Sequence, residues 1–192
     1  MTDVKNYLAQ IQTLVEQIPS GDVEKVTDLL WENYDAARRV VFCGNGGSAA
    51  TASHLPADFQ KGMFTEFGRP WECLSLVDSM ALVTAWSNDT SYANVFAGQV
   101  KTWLRPNDIL VAISGSGNSE NVIAAVHAAQ ECGAITIGLC GFGGGKLAAV
   151  VQHAIVLKSR NMQMVEDVHM ILGHAIYSAL RDRAIRQAAE AA

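Results

Sequence analysis

Residues 40–48 have the sequence VVFCGNGGS, a short apolar run that passes directly into a glycine-rich turn. This pattern is typical of a buried strand that ends where a helix begins. Such a junction presents free backbone N–H groups and the positive end of a helix dipole, and both favour a bound phosphate. A second junction follows at residues 109–119, with the sequence ILVAISGSGNS. Two such turns predict a site for a phosphorylated small molecule.

The second turn has the stronger phosphate signal. It places three serine hydroxyls, those of Ser114, Ser116 and Ser119, among several backbone N–H groups, and Ser119 can also cap a helix that begins at Glu120. The alternative for both turns is an ordinary strand-to-helix connection, since such connections often need glycine for a positive φ.

Five continuous apolar runs indicate short strands with both faces covered, as in a parallel sheet. They lie at residues 40–43, 73–77, 109–113, 134–139 and 154–157. Stretches with helical spacing separate them, near residues 48–62, 79–86, 91–104, 119–132 and 146–151. This alternation predicts an α/β fold, a three-layer αβα sandwich around a five-stranded, mainly parallel sheet. Ligands of such folds bind at the carboxyl ends of the strands.

Helical spacing also marks both ends of the chain. Residues 3–18 and 22–37 precede every predicted strand, so we expect them to form an added N-terminal helical hairpin. A long last helix is predicted over residues 163–189. We predict one domain over residues 1–192, made of the hairpin (1–37), the α/β core (38–160) and the C-terminal helix (161–192).

Composition narrows the class of protein. The 192 residues are 49% hydrophobic, enough for a sizeable core. The net charge of -5, without a long basic run, argues against a large nucleic-acid surface. The N-terminus lacks the apolar stretch of a signal peptide, and no apolar run approaches the ~20 residues that span a bilayer, so we expect a cytoplasmic protein without a membrane partner. The four cysteines form no CxxC pair, which predicts buried free thiols.

A third glycine-rich segment, GFGGGK at residues 141–146, does not indicate a nucleotide site. It is not a P-loop, because Leu147 follows Lys146 where a P-loop has serine or threonine. No predicted strand ends in GxGxxG followed by a helix and a distal acidic residue. We therefore expect no nucleotide cofactor.

Four ionisable side chains lie on the predicted helices. His54 and Asp58 are four residues apart, and this spacing puts them on one helix face. Glu166 and His174 lie about two turns apart on the last helix, ~12 Å along its axis. Two imidazoles and two carboxylates suit a divalent metal such as zinc, and they also supply a general acid and a general base. The alternative is a core or surface role, which is our interpretation of His127, His153 and His169.

These motifs together resemble those of the sugar isomerase (SIS) domain family, and within it the phosphoheptose isomerases, also called sedoheptulose 7-phosphate isomerases. The resemblance covers nearly the whole chain, including the N-terminal helices. It implies a flavodoxin-like α/β fold that is preceded by the helical hairpin. It is carried by GNGGS at 44–48, His54, Asn88-Asp89, ISGSGNS at 113–119, GGGKL at 143–147, and EDVH at 166–169 with His174.

The resemblance implies an aldose–ketose isomerase that interconverts sedoheptulose 7-phosphate and D-glycero-D-manno-heptose 7-phosphate through an enediol. It also implies a homotetramer with active sites at subunit interfaces, and zinc near the reacting carbons. The implied metal ligands are His54, Asp58, Glu166 and His174, with Asp58 as base and His174 as proton relay. By family position the substrate-binding residues are Asn45, Gly46, Gly47, Ser48, Asp58, Asn88, Asp89, Ser114, Gly115, Ser116, Ser119 and Glu166.

The chain departs from the family pattern around these residues. Asp58 stands where glutamate is expected, a carboxylate shorter by about 1.5 Å, and the nearby Pro56 predicts a kink. Glu166 replaces a glutamine, Gly115 replaces a threonine, and residues 59–62 lack the usual threonine-glycine-arginine run. These changes favour a shifted substrate or a modified metal site over loss of function.

Two alternative functions remain open. One is an isomerase of a different sugar phosphate. The other is a non-catalytic SIS protein that binds a replication initiator or senses a sugar phosphate. Retention of His174 and of an acidic residue at position 58 argues against the second.

The last helix carries an apolar surface that is broad for an exposed helix. Burial against another subunit is one explanation, and a central helix within a packed subunit is the other. The residues concerned are Val165, Val168, Met170, Ile171, Leu172, Ile176 and Leu180.

Overall fold

The computed structural model describes residues 3–190 and is built around one sheet of five strands. Every neighbouring pair of strands is parallel, in the order β2-β1-β3-β4-β5. The predicted sheet is therefore confirmed, and it is parallel throughout. The strands are β1 (Val40–Gly44), β2 (Cys73–Ser75), β3 (Ile109–Ser114), β4 (Ile135–Cys140) and β5 (His153–Val156).

Helices cover both faces of this sheet. They are α1 (Val4–Glu16), α2 (Ser20–Asp35), α3 (Gly47–Pro56), α4 (Met63–Phe67), α5 (Met80–Asp89), α6 (Ala97–Trp103), α7 (Glu120–Glu131), α8 (Gly145–Val150) and α9 (Met162–Glu190). A π-helical turn (Ala57–Gly62) joins α3 to α4, and a 3-10 turn (Tyr92–Asn94) precedes α6.

The apolar runs form strands because both of their faces are buried. All five residues of β1 and all six of β3 are buried. On one face they pack with α1, α2, α3 and α9, through residues such as Leu30, Leu55 and Leu172. On the other face they pack with α6, α7 and α8, through residues such as Val100 and Val126. The two layers of helices confirm the three-layer sandwich.

The predicted helix over residues 48–62 ends as an α-helix at Pro56. Proline has no N–H to donate to the carbonyl four residues earlier, so the regular hydrogen-bonding pattern is interrupted there. The chain continues as the wider π-helical turn instead. The kink that Pro56 predicts thus takes the form of a change in helix type.

The two N-terminal helices share the core of the sheet. Leu14 of α1 and Val26 of α2 belong to the same buried cluster as Phe42 of β1. The helical hairpin is present, whereas the division of the chain into a single domain with the predicted boundaries stays a prediction.

The apolar surface of α9 packs largely within the subunit. Five of the seven residues named above are buried in this chain, which favours the central-helix explanation. Met170 is half-buried and Ile171 is exposed. The buried five are Val165, Val168, Leu172, Ile176 and Leu180.

All four cysteines are free, as predicted, but Cys132 is only partly buried. Cys43, Cys73 and Cys140 are buried, and burial raises the pKa of the Cys43 and Cys140 thiols to about 12. Such thiols stay protonated and unreactive. Over residues 3–190, none of the helices combines the length and the apolar character that crossing a bilayer requires.

Candidate active site

The strand order places both phosphate-type turns side by side. The chain passes from β1 to β2 on one side and then from β2 back across β1 to β3 on the other side. The gap between β1 and β3 is therefore the switch point where ligands of such sheets bind. A pocket of about 250 Å³ opens there. Its lining residues are Asn45, Gly46, Ser48, Ile113, Ser114, Gly115, Ser116, Ser119, Met162 and Glu166.

Serine hydroxyls and N–H groups organise the turn between β3 and α7. The hydroxyl of Ser114 lies 3.2 Å from that of Ser119, and it accepts from the backbone N–H of Gly117 at 3.2 Å. The Ser116 hydroxyl accepts from the N–H of Asn118. Ser119 occupies the N-cap position of α7, but its side chain makes no capping hydrogen bond, so the predicted cap is wrong. Its hydroxyl points to Ser114 at the pocket instead.

The third glycine-rich segment supports this turn. The N–H of Leu147 donates to the carbonyl of Gly117 at 2.8 Å, and the N–H of Gly141 donates to that of Gly115 at 2.9 Å. A Cβ at Gly117, where φ is 68°, would overlap the carbonyl of Gly144. Only glycine allows these two loops to approach so closely. The segment therefore fixes the shape of the phosphate-type turn.

Helices α3 and α9 connect the pocket to a second cluster of polar side chains. At the pocket, Gly47 at the start of α3 contacts the Glu166 carboxylate. Further along both helices, Leu55 of α3 contacts Gly173 of α9. The two contacts follow each other in the same direction along both helices, so α3 and α9 run parallel. This arrangement brings His54 and His174 together.

The second cluster consists of His54, Asp58 and His174. The Nε2 atoms of the two histidines lie 2.9 Å apart, and Asp58 Oδ2 lies 3.4 Å from His54 Nε2 and 3.5 Å from His174 Nε2. Corners of a tetrahedron with zinc-ligand bonds of 2.0–2.2 Å are about 3.3 Å apart. Two imidazoles and one carboxylate at these separations fit a divalent metal with one coordination position open.

Asp58 reaches both histidines from the π-helical turn. The turn is held against the sheet by Phe59, which is buried, stacks on Trp71 at 5.3 Å between ring centroids and meets Phe42 edge to face at 5.7 Å. The shorter carboxylate of aspartate therefore still faces the two imidazoles. Pro56 and the turn that follows it set the position of the Asp58 backbone.

Two clefts about twice as large lie elsewhere on the surface and contain none of the predicted site residues. One, of about 490 Å³, lies between α1 and the segment that precedes α9. The other, of about 540 Å³, lies between α4 and the end of α9. The chemistry favours the smaller pocket, because serine hydroxyls and free N–H groups converge there.

Known proteins resemble this chain in both sequence and fold. Residues 6–141 match the SIS domain family. A phosphoheptose isomerase of Nitratidesulfovibrio vulgaris (strain Miyazaki F) is 41% identical over 139 residues, 72% of this chain and 66% of that protein. The one from Synechocystis is 33% identical over 96% of this chain and 94% of its own length. The chain belongs to the phosphoheptose isomerase family of SIS domain proteins. The predicted family and isomerase class are confirmed.

A solved structure shows that the likeness to this family extends over the fold. Phosphoheptose isomerase GmhA from Neisseria gonorrhoeae superposes with a TM-score of 0.86 and 30% identity, covering 93% of this chain and 97% of that one. The superposition covers nearly all of both chains.

Glu166 lies away from the three-residue cluster. It lines the pocket at the turns, close to Gly47, whereas His174 is about two turns further along α9, ~12 Å by the rise of the helix. The Glu166 carboxylate can therefore face a ligand in the pocket but does not join the cluster formed by His54, Asp58 and His174. Of the four metal ligands that the family resemblance implies, the structure brings three together.

Asn88 and Asp89 also lie outside the pocket of this subunit. They end α5, where the Asn88 amide donates to the Asp89 carboxylate at 2.9 Å. Asp89 lines a separate shallow cleft with Leu82 and Trp86. Within one subunit these two family positions are not among the residues that line the pocket at the turns.

The structure adds residues that the motifs did not indicate. Met162 lines the pocket, and its sulfur would lie 2.5 Å from a Cβ at Gly115. Met162 fills the space that the threonine of the family pattern would occupy at position 115. The missing side chain at Gly115 is the one feature of the sequence that could have indicated a compensating residue such as Met162. Asn121 and Tyr92 bond to the side chain of Asn45, a contact between distant parts of the chain that no local pattern predicts.

Proposed function

We propose that the protein interconverts sedoheptulose 7-phosphate and D-glycero-D-manno-heptose 7-phosphate through an enediol. The observation that carries this proposal is the pairing of a phosphate-type pocket with the His54–Asp58–His174 cluster along the parallel helices α3 and α9. The axial distance between the two ends is ~9–12 Å from the helical rise. Five carbon–carbon bonds of about 1.5 Å and a phosphate ester span about 9 Å when extended. A heptose 7-phosphate can therefore place its phosphate and its carbonyl at the two ends.

The phosphate would bind at the turn between β3 and α7. The hydroxyls of Ser114, Ser116 and Ser119 face this pocket, and α7 points its N-terminus toward it. Backbone N–H groups and the helix dipole favour a dianion there. Anchoring one end of the substrate in this way fixes the reacting carbons at the other end.

Asp58 is proposed as the base. Its Oδ2 faces the two histidines, which leaves Oδ1 to take a proton from the carbon next to the carbonyl. His174 would then pass a proton between the enediol oxygens. Its Nε2 lies 2.9 Å from that of His54, so one ring can donate a hydrogen bond to the other when no metal is bound between them. The His54 ring thereby orients the His174 ring.

Zinc is the proposed cofactor, held by His54, Asp58 and His174. When bound, it would polarise the substrate carbonyl and stabilise negative charge on its oxygen. The mutual separations of the three ligand atoms support this assignment.

We further propose a cytoplasmic homotetramer with active sites at subunit interfaces. Helix α5 supports it, because the helix is largely apolar and buries none of its residues within the subunit. Met80 is 68% exposed and Leu82 is 42% exposed. A partner covering α5 would bring Asn88 and Asp89 next to a neighbouring surface, which accounts for family substrate positions that lie outside the pocket of their own subunit.

Proton NMR of the purified protein with sedoheptulose 7-phosphate tests the activity directly. We expect anomeric signals of an aldoheptose phosphate to appear and grow. Their rate of growth should decrease after treatment with a chelator. The Asp58→Asn and His174→Ala variants should lose about 10²-fold or more in turnover, because each removes a group that moves a proton. His127→Ala, an exposed histidine on α7, is the matched control. Near-native turnover by both variants would contradict the mechanism.

A further inference from the structure

A closed set of hydrogen bonds surrounds the side chain of Asn45 at the carboxyl end of β1. Its Nδ2 donates to Asn121 Oδ1 at 2.8 Å, and Asn121 Nδ2 donates back to Asn45 Oδ1 at 2.9 Å. The hydroxyl of Tyr92 donates to the same Asn45 oxygen at 2.8 Å. Three segments of the chain, the turn after β1, the first turn of α7 and the 3-10 turn before α6, thus meet at one amide.

The direction of these bonds is fixed by a backbone group. The N–H of Val122 lies 3.0 Å from Asn121 Oδ1, and a backbone N–H can only donate. Asn121 must therefore turn its oxygen toward Val122 and its NH₂ toward Asn45. Asn45 in turn must present its oxygen to Asn121 Nδ2 and to Tyr92. The reverse orientation of either amide would set two donors or two acceptors against each other.

This polarity leaves one group of Asn45 free. Both lone pairs of its oxygen accept bonds, and one of its two N–H groups donates to Asn121. The second N–H has no acceptor among residues 3–190, and Asn45 lines the pocket. We propose that Asn121 and Tyr92 are positioning residues that fix Asn45 as a hydrogen-bond donor toward a phosphate or sugar oxygen of the substrate. This inference rests on the proposed function and deepens it.

The two positioning residues differ in their surroundings. Asn121 is 2% exposed, so its paired amide bonds with Asn45 are shielded from water, where polar networks are strong. Tyr92 is 55% exposed, and its hydroxyl bond competes with water. Loss of the Asn121 donor should therefore affect ligand binding more than loss of the Tyr92 hydroxyl.

Steady-state kinetics with sedoheptulose 7-phosphate tests the two residues. Asn121→Asp keeps the acceptor for Val122 and for Asn45 but removes the donor, and we expect KM to rise on the order of tenfold or more. Tyr92→Phe removes one bond, and we expect a rise of about fivefold, the factor that corresponds to a hydrogen bond of ~1 kcal/mol. In both variants kcat should stay within about twofold, since binding energy shared by ground and transition states appears in KM. Unchanged KM in both variants would overturn the proposal.

Asn94→Asp is the control for charge. Asn94 is exposed on the same 3-10 turn as Tyr92 and lies outside this set of hydrogen bonds, so its variant adds one negative charge without removing a donor from Asn45. We expect its KM to match that of the unmodified protein. If KM of Asn94→Asp rises as much as KM of Asn121→Asp, the added charge explains the effect and the positioning role is wrong.

A second measurement does not depend on turnover. The side-chain amide signals of Asn45, identified by their loss in Asn45→Asp, are followed by ¹H–¹⁵N NMR during titration with inorganic phosphate and with sedoheptulose 7-phosphate. We expect one of the two Asn45 protons to shift on binding of either ligand, and the other to stay at its hydrogen-bonded position. If calorimetry shows binding of both ligands and neither proton moves, or if neither ligand binds, the inference is wrong. If the ligands bind with this shift but the sugar is not isomerised, the inference about Asn45 stands and the proposed function is wrong.

Discussion

At the scale of single residues, two histidines of the same helix differ in burial and in the groups that surround them. His169 of α9 is fully buried, and its ring nitrogens have no hydrogen-bond partner among residues 3–190. Burial lowers the pKa of His169 to about 4, an effect that the nearby carbonyl of Cys140 only partly offsets. His174, five residues later, is half exposed and faces Asp58 and His54. Their different surroundings agree with the core role predicted for His169 and the chemical role proposed for His174.

The lowered pKa of His169 predicts a loss of stability in mild acid. The unfolded chain binds a proton near pH 6.5 and the folded chain only near pH 4, so the unfolded state gains protons first as pH falls. The free energy of unfolding should drop by about 2 kcal/mol between pH 7 and pH 5 from this group. Urea unfolding at several pH values measures it. The free energy of unfolding should change less with pH in His169→Leu than in the control variant His153→Leu. An equal pH dependence in the two variants would contradict the prediction.

The contact between Gly115 and Met162 predicts that the two positions depend on each other. Restoring the family threonine with Gly115→Thr should destabilise the protein by about 1–3 kcal/mol, because the new side chain overlaps the Met162 sulfur. Adding Met162→Ala should recover most of that loss. Urea denaturation of both single variants and the double variant measures the coupling. Gly21→Thr is the control, since a side chain there meets nothing within 4 Å. Additive effects of the two substitutions would contradict the prediction.

At the scale of elements, the sequence predicts strands better than it predicts helix boundaries. The run Ile109–Ile113 is apolar because both faces of β3 are covered, so the local pattern carries the tertiary information. The region 48–62 behaves differently. Its change from α-helix to π-helical turn depends on Pro56 and on Phe59 stacking against Trp71, a contact with a distant residue. Helical spacing alone shows no such change.

The same distinction applies to the candidate site. The turns at Asn45 and Ser114 are recognisable from their residues, since glycine and serine after an apolar run report local geometry. The position of Glu166 cannot be recognised in this way, because it depends on how α9 packs against Gly47. The ~12 Å between Glu166 and His174 along one helix makes it difficult for both to bind one metal ion, and the structure places Glu166 away from the cluster of His54, Asp58 and His174.

At the scale of the whole molecule, the exposed apolar side chains of α5 predict assembly. Leu82→Glu should place a charge at the covered surface and dissociate the proposed homotetramer, while leaving the fold of the subunit intact. Analytical ultracentrifugation measures the mass, and circular dichroism measures the fold. Gln187→Glu, at the exposed end of α9, adds the same charge elsewhere as a control. A monomer before mutation, or a tetramer after it, would contradict the prediction.

The sheet itself restricts how copies of this chain can join. Its edge strands are short: β2 has three residues and β5 has four. Short edges offer few unpaired backbone groups to another chain, and proteins use them to prevent sheets from pairing edge to edge. Neighbouring subunits therefore have little opportunity to extend the sheet into a continuous ribbon. Association through a helical surface such as that of α5 would leave the edges of the sheet unpaired, so the strongly apolar parallel sheet would stay confined to one subunit.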